Sequence, residues 1–138
     1  MKDNSLKQIS STNMKVINLE QGDVLHFIKN SAASFKGFGE VYFSKINAHS
    51  VKAWKLHKKM TLNLIVPIGT VKFVFYSHVS NTFRVEEIGE CNYRKLYVPP
   101  RIWFGFKGIS KGTSLVANLA DIEHDPKEAL RKNLDEIS

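Results

Sequence analysis

The chain has 138 residues, 43% of them hydrophobic and 24% charged, the proportions of one globular domain large enough to bury a core. Its single cysteine, Cys91, excludes an intrachain disulfide framework, and no apolar run is long enough to span a bilayer as a helix. The net charge of +7 points to an anionic partner (nucleic acid, a phosphorylated metabolite or an anionic membrane) without choosing among them.

Residues 1–13 are polar, rich in Ser, Asn and Lys, and read as a flexible arm. They hold no apolar core and are not read as a signal peptide, so the cytoplasm is the expected location. A single domain is expected over residues 14–138. Short strands are predicted at Met14–Leu19 and Asp23–Lys29, with a turn at Gly22-Asp23 between them. The stretch 37–46, GFGEVYFSKI, alternates cleanly, with Phe38, Val41, Phe43 and Ile46 as the candidate core or sheet residues.

The most informative run follows, from Ser50 to Tyr76. It reads as a strand over Val51–Leu56, a basic turn, a strand over Leu62–Pro67, a tight turn at Ile68-Gly69 and a long strand over Thr70–Val79. Further strands are predicted at Phe83–Ile88, Arg94–Val98, Ile102–Ile109 and Ser114–Leu119, with the Pro99-Pro100 pair closing one of them. In the tail, Asp125-Pro126-Lys127-Glu128 carries the signature of a capped helix start, and Ala129, Leu130, Leu134 and Ile137 recur at helical spacing. The pattern is therefore all-β, an antiparallel sandwich or barrel with one short C-terminal helix.

His57 is the leading candidate for chemistry. On an extended strand Ala53, Lys55, His57 and Lys59 project to one face, so a base and two cations line one cavity if that face is inward. Cations beside an imidazole keep it neutral, which suits a general base. The competing reading is a strand edge solvated by Lys55, Lys58 and Lys59. His26, His49, His57, His78 and His124 are too scattered for a metal site, and the aromatics alternate as core residues do rather than forming a nucleic-acid stacking surface. In Tyr97–Gly108, YVPPRIWFGFKG, two prolines set a corner, Arg101 offers an anion contact and Trp103 a stacking face.

The runs VKAWKLHKKMTLNLIVPIGTVKFVFY, LYVPPRIWFGFKGIS and VANLADIEHDP, spread over residues 37–126, resemble the sugar-nucleotide cupins. These are the dTDP-4-dehydrorhamnose 3,5-epimerases and the related dTDP-4-oxo-6-deoxyhexose 3,4-ketoisomerases. The resemblance implies a cupin-type jelly-roll β-barrel, a homodimer, and a nucleotide-sugar substrate in surface polysaccharide biosynthesis, with no metal, cofactor, nucleic acid polymer or membrane. It puts a catalytic histidine base at His57 and gives Lys55 and His124 as substitutes for missing catalytic partners. Lys59, Asn63, Arg101, Trp103 and Asn118 are the expected substrate-binding residues. The chain departs from the epimerases at Trp54 (Arg), Asn118 (the acid tyrosine), His124 (a second tyrosine) and Phe104 (His), and from the ketoisomerases at Lys55, the first His of a His-x-His pair. It also lacks the segment that brings an aspartate to the histidine. Three readings follow: an isomerase of nucleotide-linked keto sugars, a cupin that binds such sugars without acting on them, and an unrelated anion-binding barrel.

Overall fold

The structure, a computed structural model, describes residues 5–137. Two five-stranded antiparallel sheets lie face to face. The first is ordered β1 (Ser10–Asn13), β9 (Arg94–Val98), β6 (Leu62–Ile68), β11 (Ser114–Ala120), β4 (Glu40–Ile46). The second is ordered β12 (Ala129–Arg131), β5 (Val51–His57), β10 (Trp103–Gly108), β7 (Thr70–Ser77), β8 (Thr82–Gly89). A small hairpin of β2 (Val16–Ile17) and β3 (Val24–Leu25) stands outside them. The fold is all-β and antiparallel, a cupin-type jelly roll.

Alternation along the strands builds the core. Leu62, Leu64 and Val66 from one sheet meet Val71, Phe73, Phe75 and Phe104 from the other in one buried cluster. The outer face of the first sheet carries Ile65 and Ala117, covered by Val16, Leu25 and Phe27 of the hairpin region. The outer face of the second carries Trp54, Leu56 and Trp103, covered by Ile137 of the tail.

Three sequence expectations give way. Residues 10–13 of the expected flexible arm form β1, paired in register with β9, and the Arg94 guanidinium clasps Ser11 and Asn13. Backbone pairing along a sheet edge outweighs the polarity of the segment; the first four residues of the arm lie outside the described residues. Among the described residues the tail forms only 3-10 turns in place of the expected helix. Its cap is real, because Asp125 Oδ1 accepts from the Lys127 amide at 3.0 Å, but it starts only a 3-10 turn over Pro126–Glu128. The chain then extends as β12 along the open edge of β5. Pairing with that edge satisfies the backbone while Ile137 still reaches the apolar cluster. Of the apolar set read from residues 37–46, Ile46 of β4 is buried in the core, whereas Val41 and Phe43 of β4 and Phe38 before it are exposed, and Glu40, Tyr42 and Ser44 face the interior between the sheets.

The β6–β7 turn depends on Gly69. Its φ is +84°, its N–H donates to Glu90 Oε2 at 2.7 Å, and a Cβ placed there would stand 2.7 Å from Ser114 Cβ and overlap its hydroxyl. Gly69→Ala combines left-handed strain with overpacking and is expected to cost about 2–4 kcal/mol. A fall in melting temperature of roughly 7–14 °C is the result to look for by calorimetry; an unchanged value would show that the turn can relax.

Candidate active site

Between the sheets, at the end where β4, β5 and β12 meet, lies a cavity of about 830 Å³, a size that suits a small-molecule ligand. His57 closes β5 and lines it, only 4% exposed. Its position is fixed from two directions. The Arg101 amide, at the proline corner and in a left-handed conformation (φ +70°), donates to the His57 carbonyl at 2.7 Å. From the tail, Glu128 Oε1 sits 2.7 Å from His57 Nδ1.

Glu128 is the orienting carboxylate that the sequence did not reveal. Its Oε2 accepts from the Lys59 and Met60 amides at 2.9 and 2.8 Å, so both oxygens are committed. An ionised carboxylate only accepts; Nδ1 must therefore carry the imidazole proton, leaving the Nε2 lone pair for the substrate. Burial pushes the Glu128 carboxyl up, yet the bonds from His57 and the two amides outweigh it and hold the group below its ordinary value. His57 is held below the ordinary imidazole value, first by burial, in part against the stacked ring of Phe104 (centroids 6.1 Å apart). Glu128 opposes that shift, while Lys55 and Arg131 add to it. The imidazole is neutral at pH 7 and ready to accept a proton.

The opposite wall belongs to the other sheet. Tyr42 of β4 and Asn118 of β11 are neighbours in register, and Asn118 Nδ2 donates to the Tyr42 hydroxyl at 3.0 Å. That bond occupies the phenol oxygen and leaves its proton free to be given to the cavity. Burial raises the Tyr42 pKa; Asn118 partly offsets this and Glu40 adds to it, so the phenol stays protonated at neutral pH. Asn118 Oδ1 is buried without a hydrogen-bond partner among the described residues, an acceptor suited to a sugar hydroxyl. A neutral base and a protonated acid thus approach one cavity from different sheets.

No protein-family model and no curated protein matches the chain. Among solved structures, a dTDP-sugar isomerase from Desulfovibrio desulfuricans G20 shares 36% identity with it, with 94% of this chain and 86% of that one covered and a TM-score of 0.89. The chain belongs to the sugar-nucleotide cupin family. Two more distant members show the fold alone. A sugar 3,4-ketoisomerase from Thermoanaerobacterium thermosaccharolyticum, solved with TDP, is 20% identical over 96% of each chain with a TM-score of 0.78. A dTDP-4-dehydrorhamnose 3,5-epimerase from Sulfolobus tokodaii is 19% identical over 94% of this chain and 80% of that one, with a TM-score of 0.81.

In this cupin the expected site residues divide into two groups. His57, Lys55, His124 and Asn118 line the cavity together. The other four lie elsewhere. Lys59 follows the end of β5 and lies on a shallow surface groove with Lys58 and Lys127. Asn63 faces the outer side of the first sheet, where its Nδ2 donates to the Ser34 carbonyl at 3.0 Å. Alternation along β10 turns Trp103 outward because Phe104 and Phe106 turn in; its ring sits in the cluster with Trp54 and beneath the Lys132 ammonium, 5.2 Å from the centroid. Arg101 contributes its backbone to His57 while its side chain is exposed. Sequence reasoning missed Tyr42, Glu128 and Arg131. The period-two set Glu40, Tyr42, Ser44 was the available signal for Tyr42; nothing local marks the other two. Among the described residues no group of three or more His, Cys, Asp or Glu could hold a metal ion, and no helix is long and apolar enough to cross a membrane.

Proposed function

We propose that this cupin is an isomerase of a dTDP-linked 4-keto-6-deoxy sugar, acting by proton transfer at a carbon next to the ketone. The observation that carries the reading is the His57–Glu128 pair facing Tyr42 across one cavity. His57 Nε2 takes the proton from the carbon, the electron pair of that C–H bond moves into an enolate, and the Tyr42 hydroxyl returns a proton to carbon. Exchange with water then resets the imidazolium and the phenolate, so one proton leaves and one arrives. The solved relative named as a dTDP-sugar isomerase, 36% identical, supports the substrate class. The same reading makes the protein a cytoplasmic homodimer whose product feeds surface polysaccharide.

Incubation with dTDP-4-keto-6-deoxyglucose in deuterium oxide tests it. The expected result is deuterium at a carbon flanking the ketone, followed by NMR, together with an epimerised or 3-keto product. Binding of the sugar nucleotide with no deuterium uptake into this or related keto sugars would sink the enzymatic reading.

A further inference from the structure

Glu40 is a group of the cavity that the proton transfer between His57 and Tyr42 leaves unused. It stands on the same face of β4 as Tyr42, two residues and roughly 6.4–6.8 Å along the strand, and both line the cavity. Turning this face inward leaves Val41 and Phe43 in solvent, so the strand gives up apolar burial to place them there. Among the described residues the Glu40 side chain takes part in no hydrogen bond and no ion pair. Burial dominates the upward shift of the Tyr42 phenol and the downward shift of the Lys55 ammonium. Glu40 acts on both as a smaller influence, which puts its charge close to each of them.

A carboxylate is an unexpected lining for a cavity that also presents Lys52, Lys55, Arg131 and Lys132 to an anionic substrate. It repels that substrate, so its use lies in a step of the reaction rather than in affinity. The other acid on the cavity wall, Glu136, is exposed in the tail beside Asn133. An enolate next to the ketone has two fates. Reprotonation at the carbon that lost its proton returns the substrate or an epimer, and no oxygen changes its proton. Reprotonation at the former ketone carbon moves the ketone. The neighbouring hydroxyl must then lose a proton while the former ketone oxygen gains one. A carboxylate suits that task, because its two oxygens can serve two vicinal oxygens.

We propose that Glu40 carries a proton from O3 to O4 of the 4-keto sugar, making the reaction a 3,4-ketoisomerisation. The assignment rests on the nucleotide-sugar isomerase reading above and names its outcome. His57 takes the proton from C3, and the electron pair of that bond forms the C3–C4 double bond, leaving the charge on O4. Glu40 takes the O3 proton and gives it to O4. The O3 electron pair then closes to the new carbonyl, and the pair of the double bond takes the Tyr42 proton at C4. Glu40 ends as it began, so only His57 and Tyr42 need exchange with water to reset.

Wild type and Glu40→Gln, each incubated with dTDP-4-keto-6-deoxyglucose in deuterium oxide, provide the test, with exchange and product read in one NMR sample. Wild type should form the 3-keto sugar with deuterium at C4. Glu40→Gln keeps the shape but cannot take up a proton, and should form that product about 100-fold more slowly or worse. Deuterium uptake at C3 of its recovered substrate should fall far less, because His57 and Glu128 are untouched. Glu40→Asp keeps the group, withdrawn by one methylene, and its product rate should lie between the two. Free dTDP should bind Glu40→Gln at least as tightly as wild type, since a like charge has gone; this also checks that the cavity is folded. Wild-type turnover to an epimer alone would overturn the shuttle and leave the isomerase standing. So would equal loss of exchange and product in Glu40→Gln, weaker dTDP binding there, or undiminished product in either variant. No deuterium at C3 in wild type would remove the isomerase and the shuttle with it.

Discussion

His57→Ala should lower proton exchange at the sugar carbon by about 10³–10⁴-fold, the contribution expected of a positioned general base. Glu128→Gln should lose about 10²-fold or more, although it touches no substrate, because it removes the charge that fixes the tautomer and supports the imidazolium. The pH profile separates this role from a merely structural one. In wild type His57 is held below its ordinary value of 6.5, so kcat/KM should be level around neutrality and fall as pH drops through that depressed value. Glu128 pushes the His57 pKa up; without it the acidic limb should move to still lower pH while the plateau drops. A limb that stays in place, or moves upward, would argue that Glu128 only holds the tail. Stability carries the same sign. Both groups bind protons less readily folded than unfolded, so their contributions are present above the ordinary values of 6.5 and 4.5 and are lost as pH falls below them.

Tyr42→Phe should separate the two halves of the reaction. The substitution keeps the ring and removes only the hydroxyl that Asn118 holds. Product formation is expected to drop about 10²–10³-fold. Deuterium entering at the abstracted position should fall far less, because His57 and Glu128 are untouched and a proton removed by His57 can return from the same side. Asn118→Ala should reproduce a weaker form of the same split, since it leaves the phenol in place but unaimed. Equal loss of exchange and product in Tyr42→Phe would place the tyrosine in substrate binding instead of proton return. Measuring isotope content and product in one NMR sample gives both quantities.

The strands were legible because alternation of β-branched and aromatic residues records burial directly: β9 matches its predicted bounds of Arg94–Val98, and β5, β6 and β7 differ by one or two residues. His57 was legible for the same reason, as a titratable group at the end of such a strand. Tyr42 was hidden by a reasonable assumption, that the apolar members of an alternating strand face inward. In β4 Val41 and Phe43 face solvent and only Ile46 joins the core, because the interior beside Glu40, Tyr42 and Ser44 is a polar cavity. Glu128 was hidden differently. Asp125-Pro126-Lys127-Glu128 satisfies every local rule for a helix start, and the local part of that signal is obeyed. The edge of β5, far away in sequence, then takes over the chain and turns a capping acid into the partner of a base. Long-range strand pairing of that kind leaves no periodic trace in the tail itself.

Because base and acid come from different sheets, the distance between them is set by what fills the space between the layers. Leu62, Leu64, Phe104 and Val116 belong to the core and also line the cavity, so their packing helps gauge the separation of the two groups. A misplacement of about 1 Å can cost a factor of about 10² in rate. Packing changes in this layer that leave the fold intact can therefore detune the chemistry, and a screen for stability alone would pass them unnoticed.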